Sequence, residues 1–394
     1  MQSIRQSYLD HIGKTSPQPM ALEVEKAEGI YIFGVNGDRY VDLISGISVS
    51  SLGHGNVSVV KAVQEQAGKY MHTMVYGEHI QKPQVQFAEL LCRQLPESLN
   101  QVFYVNSGTE AVEGAMKLAK KLTGRYEFVA CHDAYHGSTH GSQSLMDSAY
   151  FSGPYRPFLP NIRFIQYNNI DSLDAITEKT AAVVVETIQG EAGIQVASTD
   201  FMRALRDKCD ATGALLILDE IQTGFGRTGK LFAFEHYGIV PDILMIAKAM
   251  GAGMPIGAFV ASVEKMNVLT ENPVLGHINT FGGHPVSAAA AHAGLTFLLE
   301  SGLIGEVEEK SRLFKESLKH PKVVEIRSKG LMIAIGVGSK ENMEKMVAFA
   351  FENKILMDWF LFDESCFRIA PPLIITKEQI LDVCKILRKG LDEL

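Results

Sequence analysis

Tryptophan occurs once in the 394 residues and cysteine only five times. The cysteines (Cys92, Cys131, Cys209, Cys366 and Cys384) are odd in number, scattered, and never form a CxxC pair. That excludes a disulfide framework and the usual closed zinc sites, and predicts reduced thiols in a cytoplasmic setting. No uninterrupted apolar run reaches the roughly 20 residues a membrane-spanning helix needs. The first ten residues lack the apolar centre of a secretion signal. Positive charge is in deficit, with 37 Lys and Arg against 45 Asp and Glu and a net charge of −8. A nucleic-acid or membrane partner is therefore not expected. Internal repeats and low-complexity segments are also missing.

A hydrophobic content of 46% and 35 glycines predict a compact α/β protein large enough for more than one domain. Residues 28–42 pattern as a hairpin, with Gly34, Gly37 and Asp38 between short apolar runs. From about residue 56 helical and strand patterns alternate. Short strands are expected at 101–106, 127–131, 162–166, 182–185, 215–218, 243–247 and 257–262. Solid apolar strands separated by helices imply a mostly parallel sheet covered on both faces. An Ala-rich helix spans 287–299, and a smaller α+β unit follows with strands near 331–338 and 366–370. The expected organisation is an N-terminal segment (1–50) packing with the small C-terminal domain (291–394), around a large domain (51–290).

Three of the apolar strands end in ionisable residues. Val183-Val-Val185 leads to Glu186, Leu215-Leu-Ile-Leu218 to Asp219, and Ile243-Leu-Met-Ile-Ala247 to Lys248, just before a Gly-rich turn. Open α/β sheets bind ligands outside the carboxyl ends of their strands, so these groups point to one crevice. Asn106-Ser-Gly-Thr-Glu-Ala111 has capping-box spacing through Ser107 and Glu110 and opens an amphipathic helix closed by Gly124. It reads either as a well-capped helix or as a phosphate cradle built from Gly108, Thr109 and a helix N-terminus. Gly224-Phe-Gly-Arg-Thr-Gly229 matches GxGxxG, but Asp219 to Thr223 separates it from its strand and no strand-end acid follows at the required distance. It is read as a turn. His132, His136 and His140 recur every four residues, yet Gly137-Ser-Thr139 breaks any helix that would stack them, so no metal is expected. Tyr135 to Gly137 reads instead as a loop presenting an aromatic face. A lysine, a buried acid and a phosphate cup suit pyridoxal 5′-phosphate. A lysine amine forms a Schiff base with an aldehyde, and an acid keeps a pyridine nitrogen protonated.

With these motifs in place the chain resembles the class III (ω-type) aminotransferases of fold type I. The resemblance runs through Tyr40-Val-Asp42, Gly53-His-Gly55, Ser107-Gly-Thr-Glu-Ala111, Tyr135-His-Gly137, Gln189-Gly-Glu-Ala-Gly193 and Asp219-Glu-Ile-Gln222. It continues through Gly226-Arg-Thr-Gly229, Ala247-Lys248, Pro255-Ile-Gly-Ala258, Thr280-Phe-Gly-Gly283 and Arg368-Ile-Ala-Pro-Pro372. It implies that Lys248 carries the cofactor, Asp219 contacts the pyridine nitrogen, Gln222 lies by the phenolic oxygen and Tyr135 stacks on the ring. Gly108 and Thr109 would hold the phosphate, with Thr280 from a neighbouring subunit of a homodimer whose sites lie at the interface. Arg368 would bind a substrate carboxylate and Glu191 would be its resting partner. Asn279 and Ile47 would fall at the substrate pocket. The implied reaction moves an amino group from a primary amine, such as an ω-amino acid, diamine or ornithine-like donor, to a 2-oxo acid. The same lysine and aspartate would equally serve a decarboxylase, racemase or aminomutase. In acetylornithine, ornithine and γ-aminobutyrate members the loop reads His-Gly-Arg-Thr and its arginine grips the donor's distal carboxylate. Here Ser138 stands at that position.

Overall fold

A computed structural model describes residues 3–394. Its centre is a seven-stranded sheet: β1 Gln101–Val105, β2 Glu127–Cys131, β3 Ile162–Ile165, β4 Thr180–Glu186, β5 Leu215–Asp219, β6 Ile243–Ile246 and β7 Gly257–Ala261. All seven lie where apolar runs predicted them. The spatial order is β1-β7-β6-β5-β4-β2-β3. Neighbours from β6 to β3 run parallel, whereas β7 is antiparallel to β6 and to β1. The chemistry of the link explains that reversal. Only residues 247–256 join β6 to β7, and a parallel crossover needs about a dozen residues or more.

Every residue of β4, β6 and β7 is buried. Alternation along each strand divides them between two cores. Val183, Val185, Leu216, Leu218, Leu244 and Ile246 enter one, while Ala182, Val184, Ile217, Ile243 and Met245 enter the other. Fully burying one such side chain contributes about 1.5–3 kcal/mol, so the strands act as a rigid base for what lies at their ends. Helix Gly108–Thr123 covers the second face through Ala111, Val112, Ala115, Leu118 and Ala119. Helix Thr199–Thr212 covers the first with Phe201, Met202, Leu205 and Cys209. The Ala-rich helix runs Pro285–Glu300 and packs on helices Val57–Lys69 and Lys82–Cys92.

Two small sheets flank this body. Arg39–Asp42 pairs antiparallel with Tyr31–Gly34 and parallel with Ile355–Leu356, so both ends of the chain share one sheet. A second sheet orders Glu325–Lys329, Met332–Gly336, Cys366–Ile369 and Asp358–Trp359, all antiparallel. Arg227, fully buried, joins these parts. Its guanidinium donates to the Leu331 carbonyl at 3.2 Å, to the Pro371 carbonyl and to Ser51 Oγ at 2.8 Å. The GxGxxG segment is thus a turn whose arginine ties together three distant stretches of the chain. No single helix among the described residues is long and apolar enough to cross a membrane.

Candidate active site

The sheet register brings the strand-end acids together. Asp219 pairs with Glu186 across β5 and β4, and with Met245 across β5 and β6. Lys248 follows β6 by two residues, with φ at 48°, a left-handed conformation that costs an L-residue about 1–2 kcal/mol. Such strain in a non-glycine residue marks a position fixed by its surroundings. All three groups border one cavity of about 580 Å³.

Asp219 is held on both oxygens. Ile221 N–H donates to Oδ1 at 3.0 Å, and the His136 ring Nδ1 lies 2.8 Å from Oδ2. His136 is buried; desolvation alone lowers its pKa, but the Asp219 carboxylate outweighs that and raises it. Glu186 accepts N–H bonds from Tyr135 at 3.0 Å and Gly190 at 2.8 Å, and burial pushes its carboxyl up to about 7. Lys248 shows the converse effect. Burial lowers its pKa, with Glu191 and Asp219 pulling the other way.

Across the cavity, the helix starting at Gly108 presents its N-terminus. Ser107 Oγ accepts from Glu110 N–H at 3.3 Å, as the capping pattern predicted. The reciprocal half differs: the Glu110 carboxylate instead takes the N–H and the side-chain amide of Asn106 at 2.8 and 2.9 Å. Thr109 Oγ1 lies 2.7 Å from both Thr139 Oγ1 and Ser142 Oγ, so its hydroxyl is fixed by a hydroxyl cluster. Tyr135 borders the cavity, and its Oη lies 3.1 Å from Ser138 Oγ.

Lys248, Asp219, Gly108, Thr109, Tyr135, Gln222 and Glu191 therefore share one wall system. Arg368 stands behind Glu191, with Nη2 donating to Oε1 at 2.9 Å and Oε2 at 2.8 Å. Three further sequence candidates, like Arg368, lie off that wall within a single chain. Thr280 is exposed on a loop. Asn279 donates to the Tyr104 carbonyl at 3.2 Å. Ile47 sits in a left-handed kink of the turn Ser45–Ser48 and is 39% exposed. One residue that the sequence showed only as part of a loop, His136, borders the cavity and meets Asp219. Two of the three spaced histidines serve separate partners, since His132 pairs with Asp147 while His136 pairs with Asp219.

The donor set fits pyridoxal 5′-phosphate. A helix N-terminus with a fixed threonine hydroxyl offers a phosphate site, and Asp219 offers a buried anion for a ring nitrogen. Gln222 Nε2 is buried without a hydrogen-bond partner, and so is His136 Nε2. An unpartnered amide donor on the cavity wall is placed to meet an acceptor of a bound group.

Comparison with known proteins agrees. The Aminotransferase class-III family model matches residues 12–391. The acetylornithine aminotransferase of Methanosarcina mazei is 40% identical over 378 residues, 95% of this chain and 92% of that protein. The [LysW]-aminoadipate semialdehyde/glutamate semialdehyde transaminase of Sulfurisphaera tokodaii is 36% identical over 94% of this chain and 95% of that protein. Among solved structures, a transaminase from the marine bacterium Virgibacillus superposes with a TM-score of 0.93 at 26% identity, covering 100% of this chain and 99% of that one. Ornithine aminotransferase from Toxoplasma gondii gives 0.91 at 29% identity, covering 98% and 93%. A half-buried lysine and a buried aspartate on one cavity, on this sheet and within this family match, mean that the chain belongs to the class-III aminotransferases, with pyridoxal 5′-phosphate as its coenzyme.

Proposed function

We propose that the enzyme takes an amino group from a primary amine remote from any α-carboxylate, in an ornithine-like compound, a diamine or an ω-amino acid, and delivers it to a 2-oxo acid bound by Arg368. The observation that carries this reading is the placement of Lys248 and Asp219 on one cavity beside a closed Arg368–Glu191 pair. The coenzyme supplies an electron-accepting ring conjugated to the substrate nitrogen. In this reading Lys248 is the covalent anchor and, once free, the amine that moves the proton at the substrate carbon. Its depressed basicity suits that work. Asp219, aimed by His136, keeps the ring nitrogen protonated. Gln222, with its unpartnered amide N–H, would donate to the phenolic oxygen, Tyr135 would lie against the ring, and Gly108 and Thr109 would hold the phosphate.

A transaminase accepts two different substrates in one pocket. With an amine present, Glu191 neutralises Arg368; with a 2-oxo acid, the incoming carboxylate takes its place, and a guanidinium fork suits that bidentate contact. The relatives' names (acetylornithine, and the semialdehydes of aminoadipate and glutamate) support a donor whose amine is distant from its α-carboxylate. Ser138 places a hydroxyl, not a cation, where a donor's distal carboxylate would need one. Exposed Met71, Met74, Tyr76 and Ile80, with Val274, Leu275, Ile278 and Phe281 around Thr280, form apolar surface that supports a homodimer carrying Thr280 into the partner's site. Unpaired cysteines, four of them buried, support a reducing, cytoplasmic setting.

The test follows each half-reaction by the coenzyme's visible spectrum. Diamines, ornithine and ω-amino acids should convert the coenzyme, and pyruvate or 2-oxoglutarate should reverse it. Conversion only by α-amino acids, or release of CO2 without nitrogen transfer, contradicts the proposal. A light-scattering mass of one chain with full activity removes the dimer.

A further inference from the structure

We propose that Asp358 is a second counter-ion of Arg368, a positioning residue that keeps the guanidinium paired and aimed while Glu191 is displaced. The inference rests on the reading of Arg368 as holder of the acceptor's carboxylate.

The backbone fixes the relation. Asp358 and Arg368 are directly opposed across the antiparallel pair of Asp358–Trp359 and Cys366–Ile369, where facing side chains are held roughly 5 Å apart. Asp358 Oδ1 lies 3.5 Å from Arg368 Nε. Hydrogen bonding across the guanidinium is lopsided. Nη2 donates to both Glu191 oxygens and to the Trp359 carbonyl at 3.0 Å, while Nε and Nη1 are buried without a partner, as is Asp358 Oδ1. The Phe360 ring lies under the guanidinium, 4.6 Å from Cζ to centroid. Nη1 is thus left for a newcomer, and Nε faces a carboxylate whose backbone is held in strand register.

The two acids differ in mobility by construction. Glu191 sits in the turn that closes at Gly193, a glycine with φ of 82°. Leu361 N–H donates to its Oε2 at 3.2 Å, and this is its one contact from the 358–362 segment to the carboxylate itself. Asp358 is on a paired strand. When a substrate carboxylate displaces Glu191, Arg368 would briefly be a bare buried cation, a state that is strongly disfavoured. A strand-fixed anion at Nε removes that state and holds the fork's plane. Burial pushes the Asp358 carboxyl up to about 6, with Arg368 pulling it down, so the group is mainly ionised at neutral pH.

The experiment measures both half-reactions of the holoenzyme for wild type, Asp358→Asn, Asp358→Glu and Glu191→Gln, and for Glu191→Gln combined with Asp358→Asn. Arg368→Gln is the control. Asp358→Asn should lower kcat/KM for pyruvate and 2-oxoglutarate about tenfold and leave the amine half-reaction within about twofold. Asp358→Glu should recover part of the loss. With Glu191 already neutral, Asp358 is the one remaining acid paired with Arg368 among the described residues, so its removal there should be more damaging than in wild type, by about another tenfold. Equal loss in both half-reactions, or strictly additive effects, overturns the proposal, since a merely structural residue behaves that way. Undiminished oxo-acid use by Arg368→Gln would instead overturn the underlying assignment of Arg368. If Arg368→Gln is impaired and Asp358→Asn is normal, only the role of Asp358 falls. The single tryptophan, Trp359, gives a second readout. Its fluorescence should respond to 2-oxoglutarate in wild type and less in Asp358→Asn.

Discussion

Replacing His136 by leucine removes one specific support of the site. Among the described residues the His136 ring is the only side chain hydrogen-bonded to Asp219 Oδ2, at 2.8 Å, and neither group has more than a few per cent exposure. Leucine leaves Oδ2 without that donor, while Oδ1 keeps the Ile221 N–H at 3.0 Å. A hydrogen bond to a charged group contributes about 1.5–3 kcal/mol, so coenzyme affinity should fall roughly 10- to 150-fold. The assay is coenzyme binding to apoenzyme at pH 7, followed by the visible spectrum. His136→Gln, which keeps a donor on a side chain of similar reach, should recover part of the loss. The pH dependence has a definite sign. Asp219 raises the folded-state pKa of His136 above its ordinary value near 6.5 despite burial. The ionic part of its stabilisation is therefore fully present below about 6.5 and is lost as pH rises through the raised value. The stability gap between wild type and His136→Leu should narrow toward alkaline pH. Affinity within about threefold of wild type, or a gap that widens with pH, refutes the reasoning.

Ser138→Arg should create a grip for a donor's distal carboxylate, lowering KM for acetylornithine about tenfold without affecting simple diamines; steady-state kinetics with both donor types decides it. Arg227→Lys replaces a planar fork that bonds Leu331, Pro371 and Ser51 by a single point charge. It should lower unfolding free energy by about 1–3 kcal/mol, measured by denaturant titration, and an unchanged midpoint removes Arg227 as the fastener. Gly137→Ala introduces a Cβ only 2.6 Å from Thr109 Cβ and Oγ1 at a φ of +120°. It should weaken binding of the coenzyme's phosphate end more than tenfold, and binding equal to wild type would show that the Thr109 cluster is not part of that cradle.

Local signals carried much of the fold because burial on both faces forces continuous apolar strands. Hence β4, β5 and β6 were legible, and so were the ionisable residues at their ends. The reversed direction of β7 was also latent in the short 247–256 link. What the sequence could not disclose is long-range pairing. Nothing near His136 signals that its ring meets Asp219, which is 83 residues away. Asp358 and Arg368 become partners only through a strand register. The capping pattern at Ser107 misled in one detail, because Glu110 finds the N–H of Asn106 instead. Asn279, Thr280 and Ile47 entered through resemblance, and one chain alone leaves them off the cavity wall.

Lys248 is the residue without which no reaction at this cavity is expected. Borohydride reduction of the holoenzyme, followed by peptide mapping, tests it directly. The coenzyme should be fixed to Lys248 and to no other residue, and Lys248→Ala should retain none after reduction. Label on a different lysine, or an undiminished yield from Lys248→Ala, would contradict the placement of the reaction at this cavity.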